Sequence, residues 1–133
     1  MTDDLVDTNV WLELLLERER AEEARQFFNQ VEADLLAITE FSLYSLGIIL
    51  TRLHKGEVFH EFLSDTLNDS AVRCIRLNTE ELKQILVVQR QFQLDFDDAY
   101  QYVAATRNGY TLISFDHDFD RTALGRKTPA QVV

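Results

Sequence analysis

Four carboxylates in this 133-residue chain stand where apolar runs stop or a helix begins. Asp7 follows Leu5-Val6. Glu40 follows Leu35-Leu36-Ala37-Ile38 by two positions, and Asp116 follows the run Thr111 to Phe115. Asp98 closes Asp95-Phe96-Asp97-Asp98, which opens a helical stretch. The intervals between the four are 33, 58 and 18 residues, and Asp118 and Asp120 follow Asp116 at alternate positions. Carboxylates gathered in one site cannot all stay ionised unaided, because each raises the pKa of its neighbours. A divalent cation removes the conflict. An oxygen-only set suits a hard ion, Mg²⁺ or Mn²⁺. Such sites carry out phosphoryl transfer or phosphodiester hydrolysis.

The chemistry requires that distant segments converge, so the elements matter. Leu5-Val6, Leu35 to Ile38, Ala71 to Leu77 and Thr111 to Phe115 read as short strands. Helical spacing is expected over Thr8 to Glu19, Arg20 to Glu32, Phe41 to His54, Glu57 to Asn68, Asn78 to about Gln93, and Asp95 to Asn108. Asn78-Thr79-Glu80-Glu81 has the form of a capping box, and Gly109 marks a helix end. Thr128 to Val133 is expected as an edge strand. Phe41 to Leu53 is apolar nearly all round, which predicts deep burial or a shared surface. Short apolar strands alternating with helices predict a mostly parallel sheet covered on both faces. Ligands in such sheets bind beyond the carboxyl ends of the strands, which is where these acids fall.

Composition bounds the function. The length fits one domain over residues 1–133. With 46% apolar residues, one Pro and four Gly, a packed core is expected rather than disorder. The single cysteine, Cys74, excludes an intrachain disulfide and a Cys-based zinc site. The opening MTDDLVD lacks the positive charge of a signal peptide, and no apolar run reaches the roughly 20 residues of a membrane span. A soluble cytoplasmic protein is expected. The net charge of −10 opposes nucleic-acid binding unless part of it is neutralised by cations. Arg121, Arg126 and Lys127, just past the acidic loop, are candidates to line an approach for an RNA backbone.

The ordered set VDTNVWLE, ITEFSLYSL, DDAYQYVAA and LISFDHDFD resembles the PIN-domain family, and within it the VapC-like toxin ribonucleases. The resemblance covers nearly the whole chain. It implies a three-layer α/β/α sandwich and a Mg²⁺- or Mn²⁺-dependent endoribonuclease, the toxin of a type II toxin–antitoxin pair. Carried over residue by residue, it implies catalytic roles for Asp7, Glu40, Asp98 and Asp116. Asp7, Asp98 and Asp116 would be the main metal ligands, with Asp118 helping a second ion. Glu40 would bind through water or orient the attacking water. Thr8, Asn9 and Ser114 would supply supporting hydrogen bonds. It further implies an RNA substrate such as tRNA, a cognate antitoxin and a homodimer.

Ordinary structural duties compete for each residue. Asp7, Asp95 and Asp116 are also natural cap or turn residues, and Glu40 suits a first helical turn. Asp95 or Asp97 could replace Asp98 as the inward acid. His54, His60 and His117 are expected at the surface, outside metal spacing. Two other magnesium folds fit less well. Asp7-Thr8-Asn9 lacks the second Asp of haloacid-dehalogenase-like phosphatases, and a receiver domain's late Lys is missing. The non-enzymatic alternative is a PIN-like binding or scaffold module.

Overall fold

The computed structural model describes residues 3–133. Four parallel strands form the central sheet: β1 (Asp4–Val6), β2 (Leu36–Thr39), β3 (Arg73–Ile75) and β4 (Thr111–Ile113), in the order β3-β2-β1-β4. Helices α1 (Thr8–Leu15) and α2 (Ala21–Gln30) link β1 to β2. Helices α3 (Glu40–Arg52) and α4 (Gly56–Phe62) link β2 to β3, and α4 runs on into a π-helical segment, Leu63–Asn68. Helices α5 (Thr79–Phe92) and α6 (Phe96–Asn108) return the chain to β4. A 3₁₀ turn, His117–Arg121, and a short α7 (Pro129–Val132) finish it.

Strand residues alternate between two cores because successive side chains point to opposite faces. Leu5, Ala37 and Leu112 pack with the α5–α6 layer, among Ile85, Leu94, Ala99 and Val103. Val6, Ile38 and Ile113 pack on the other face with Val10, Trp11, Phe27, Leu46 and Leu50. The expected α/β/α sandwich with a parallel sheet is therefore what forms. The alternation is hidden in the sequence because both faces are covered, so each strand reads as one apolar run.

Several element ends differ from expectation. The tail is a helix rather than an edge strand. Pro129 sits at its first turn, and Thr128 and Gln131 form a reciprocal capping box. Lys127, just before this helix, forms an isolated parallel bridge to Ile113. Helix α1 stops at Leu15, and β2 runs to Thr39, so Glu40 follows the strand directly. Helix α3 is amphipathic in place: Leu46 and Leu50 are fully buried, whereas Tyr44 is 61% and Ile48 51% exposed. The capping box Asn78–Glu81 forms as expected, and Gly109 ends α6 at φ 69°.

Candidate functional site

Register assembles the site. Pairing of β1 with β4 sets Val6 opposite Ile113, so the residues that leave the two strands, Asp7 and Ser114, meet at one edge. Asp7 is buried and uses both carboxylate oxygens. Oδ1 accepts from the Thr8 backbone N–H at 2.8 Å and caps α1. Oδ2 accepts from the Ser114 hydroxyl at 2.7 Å and, at 3.4 Å, from the Asn9 amide. Capping and site duty thus coexist in one carboxylate. Asn9 also donates to the Ser114 hydroxyl and accepts from the Phe115 N–H, which stitches α1 to the chain leaving β4.

Asp116 is set by the same hydroxyl. Its backbone N–H donates to Ser114 Oγ at 2.9 Å, and its Oδ1 accepts from the Asp118 N–H at 2.9 Å, starting the 3₁₀ turn. Asp98 is the third residue of α6 and is buried, whereas Asp97 and Asp95 are exposed. Asp98 is therefore the buried acid of its group, and Asp97 lines the same pocket from an exposed position. Asp7, Asp97, Asp98 and Asp116 share a pocket of about 260 Å³ with Thr8, Asn9 and Gln101.

Crowding shows in the acid strengths. Burial, then the neighbouring Asp116 carboxyl, then the charge of Asp7 push the Asp98 pKa from 3.8 to about 8. Burial pushes Asp7 to about 6, against the Ser114 and Thr8 hydrogen bonds, which favour its ionised form. The positive end of the α6 dipole favours an anion at Asp98, yet it does not offset desolvation and like charge. Carboxyls that burial and like charge hold protonated near neutrality are what a divalent cation would relieve. The oxygen-only lining of acids, hydroxyls and amides fits a hard ion on that count. Asp7, Asp98 and Asp116 are the pocket carboxylates that could hold it.

Other expected residues sit differently. Glu40 opens α3, half-buried, and is not among the residues lining the acid pocket. Beside burial, its charge raises the Cys74 thiol and the Tyr100 phenol, so its surroundings lie toward β3. Asp118 forms an ion pair with Arg121 at 3.0 Å. Arg121 also donates to the backbone carbonyls of Phe92 and Gln93, and Arg126 donates to Asp120 and to the Ser114 carbonyl. Lys127 lines a separate pocket of about 790 Å³ with Asp4, Glu32 and Thr111, at the opposite ends of the strands. Its charge partly counters the burial that raises Asp4 to about 6.

Some residues escaped the sequence reading. His117 is at the surface as expected, but its ring nitrogen comes within 4.8 Å of ligand oxygens of both Asp116 and Asp118, so it belongs to a candidate metal group. Buried Ser42 and Gln101 join Thr8 beside the acid pocket. Their signal was helical spacing: Gln101 is one turn beyond Asp98, a polar residue in an otherwise buried helix face.

The PIN-domain family model matches residues 5–124. This chain belongs to the PIN-domain family. No curated protein matches the sequence. Among solved structures, a toxin–antitoxin complex from Klebsiella pneumoniae is similar at 20% identity and a TM-score of 0.77, covering 96% of this chain and 98% of that one. VapC20 of Mycobacterium tuberculosis, described as a toxin cleaving the sarcin-ricin loop, has 18% identity and a TM-score of 0.77 over 92% and 96% of the chains. FitAcB of Neisseria gonorrhoeae has 18% identity and a TM-score of 0.72 over 95% and 97%. At these identities the likeness is one of fold. It agrees with the PIN architecture built up from the strand register.

Proposed function

We propose that this PIN domain is a Mg²⁺- or Mn²⁺-dependent endoribonuclease acting as the toxin of a toxin–antitoxin pair. The observation that carries the reading is the convergence of Asp7, Asp98 and Asp116 on one pocket, with Asp98 driven to a pKa of about 8 by burial and then by its acidic neighbours. The solved structures it resembles include a toxin–antitoxin complex and an RNA-cleaving toxin, which supports the substrate class and an antitoxin partner. Among the described residues no helix is long and apolar enough to cross a membrane.

In this reading Asp7, Asp98 and Asp116 hold the cation, with Asp118 and His117 beside them on the exposed side. When bound, the ion lowers the pKa of water and offsets charge at the scissile phosphate. The chain's own residues do the rest. Ser114 and Asn9 fix the Asp7 carboxylate and keep it in its ionised, ligating form. Glu40, outside the pocket lining, acts at most through water, orienting the attacking molecule from the β3 side. RNA takes tRNA or another structured form, and the protein works in the cytoplasm. Exposed Tyr44 and Ile48 on α3, and Leu82, Leu86 and Val87 on α5, offer apolar surface for a homodimer or the antitoxin.

Incubating structured RNA with the purified protein and Mn²⁺ tests the activity. Cleavage is expected from the unmutated protein and a loss of at least about a hundredfold in Asp7→Asn. Equal, residual cleavage by both would favour a scaffold role for the domain.

A further inference from the structure

Gln101 is a polar residue buried where an apolar one would pack more cheaply. It is 1% exposed and lies one helical turn beyond Asp98, on the face of α6 that borders the acid pocket. Its amide nitrogen donates to Ser42 Oγ at 2.5 Å and lies 3.5 Å from Thr8 Oγ1. The two hydroxyls are themselves 2.7 Å apart. Three helices, α1, α3 and α6, are thereby tied together by one side-chain cluster. The other end of the amide is unmatched: Oε1 is buried and has no hydrogen-bond partner.

Buried polar atoms in native proteins are almost always paired, and an orphan calls for a missing partner or a functional role. The acids of the same pocket, Asp7, Asp97, Asp98 and Asp116, are acceptors when ionised, and none of them, protonated Asp98 included, makes a hydrogen bond to this oxygen. Water can, and a cation among the acids would orient water with its hydrogens outward, toward acceptors.

We infer that Gln101 is a positioning residue of the acid pocket, whose free amide oxygen accepts a hydrogen bond from ordered water there and so helps the acids hold a divalent cation. The inference rests on the metal-dependent reading above. Ser42 and Thr8 hold the amide by its nitrogen, which leaves the oxygen free of both hydroxyls. The arrangement costs stability in the metal-free chain and is recovered when the pocket fills.

Gln101→Met separates this role from a structural one. Methionine keeps the length of the side chain, removes the orphan, and leaves Thr8 and Ser42 bonded to each other. The expected result is a metal-free melting temperature equal to or above that of the unmutated protein, with Mn²⁺ dissociation, read by electron paramagnetic resonance, weakened about tenfold. Gln101→Glu, which retains acceptor oxygens, should bind Mn²⁺ at least as tightly as the unmutated chain. Unchanged Mn²⁺ binding in Gln101→Met, or a drop of several degrees in its metal-free melting temperature, would overturn the assignment. Running Asp98→Asn in parallel distinguishes the failures. If the unmutated protein binds no Mn²⁺, the metal reading falls and takes this inference with it. If Asp98→Asn is weakened while Gln101→Met is not, only the role of Gln101 falls.

Discussion

Ser114 donates its hydroxyl hydrogen to Oδ2 of Asp7 at 2.7 Å, joining two residues 107 positions apart. The Ser114 Oγ in turn accepts the Asp116 backbone N–H, so one buried hydroxyl sets two acids of the pocket at once. The bond favours the ionised form of Asp7 against burial, which is the dominant influence on that carboxyl.

Replacing Ser114 by Ala removes both bonds with little change in volume. Stability should fall by about 1–3 kcal/mol, the usual cost of unpairing buried polar groups. Asp7 should become a weaker acid and Mn²⁺ binding should weaken, whereas Ser114→Thr should restore both. Chemical denaturation with a metal titration on each variant checks this. Ala behaving like Ser in both would show that the hydroxyl has no hold on Asp7.

The raised carboxyls give stability a definite pH dependence. Asp98 is moved from 3.8 to about 8 and Asp7 to about 6. Between about pH 4 and pH 8 the folded chain keeps protons on these groups that the unfolded chain has released. The folded state binds more protons there, so stability falls as pH rises through that window. The contribution is fully present below about pH 4 and is gone above about pH 8. Asp98→Asn should flatten the metal-free profile across this range, and Mg²⁺ should flatten it in the unmutated protein. Denaturant midpoints at half-unit pH steps would show it, and parallel curves for the two proteins would contradict it.

Arg121 stands where sequence position suggested an approach for RNA, yet its guanidinium is committed within the fold. It donates to the carbonyls of Phe92 and Gln93, at the end of α5, and to Asp118. Gln93 takes a left-handed conformation there, at φ 56°, and leads into the turn before α6 and Asp98. The arginine therefore clasps the segment preceding one acid to the loop that follows another. Arg121→Ala should cost about 1–2 kcal/mol of stability and weaken metal binding. The salt dependence of RNA affinity should keep its slope, because no phosphate contact is lost. A slope reduced by about one, with stability intact, would instead mark Arg121 as a backbone contact for RNA.

The sequence exposed the acids but not the supports between them. Asp7, Asp98 and Asp116 were legible because each follows an apolar run or opens a helix, and strand ends of a parallel sheet share an edge. Choosing Asp98 over Asp95 and Asp97 needed the burial of one helix face, which spacing alone leaves open. Gln101 and Ser42 were not legible, because a single polar residue inside a buried helix gains meaning only from what packs against it. The engagement of Arg121 and Arg126 is hidden for a similar reason: their acceptors are three backbone carbonyls and the carboxylates of Asp118 and Asp120, brought close by turns. The terminal helix is not legible from its apolar residues, because what starts it is Pro129 and the reciprocal capping of Thr128 and Gln131.

On the proposed function, burial and mutual repulsion of Asp7, Asp98 and Asp116 make their pocket a trap for a divalent cation. Isothermal titration of the RNA-free protein with Mn²⁺ near pH 7.5 measures it most directly. Saturable binding with release of protons is expected, since Asp98 must ionise to ligate, and both the affinity and the proton release should fall sharply in Asp98→Asn. No saturable binding, or binding identical in the two proteins, would contradict the account.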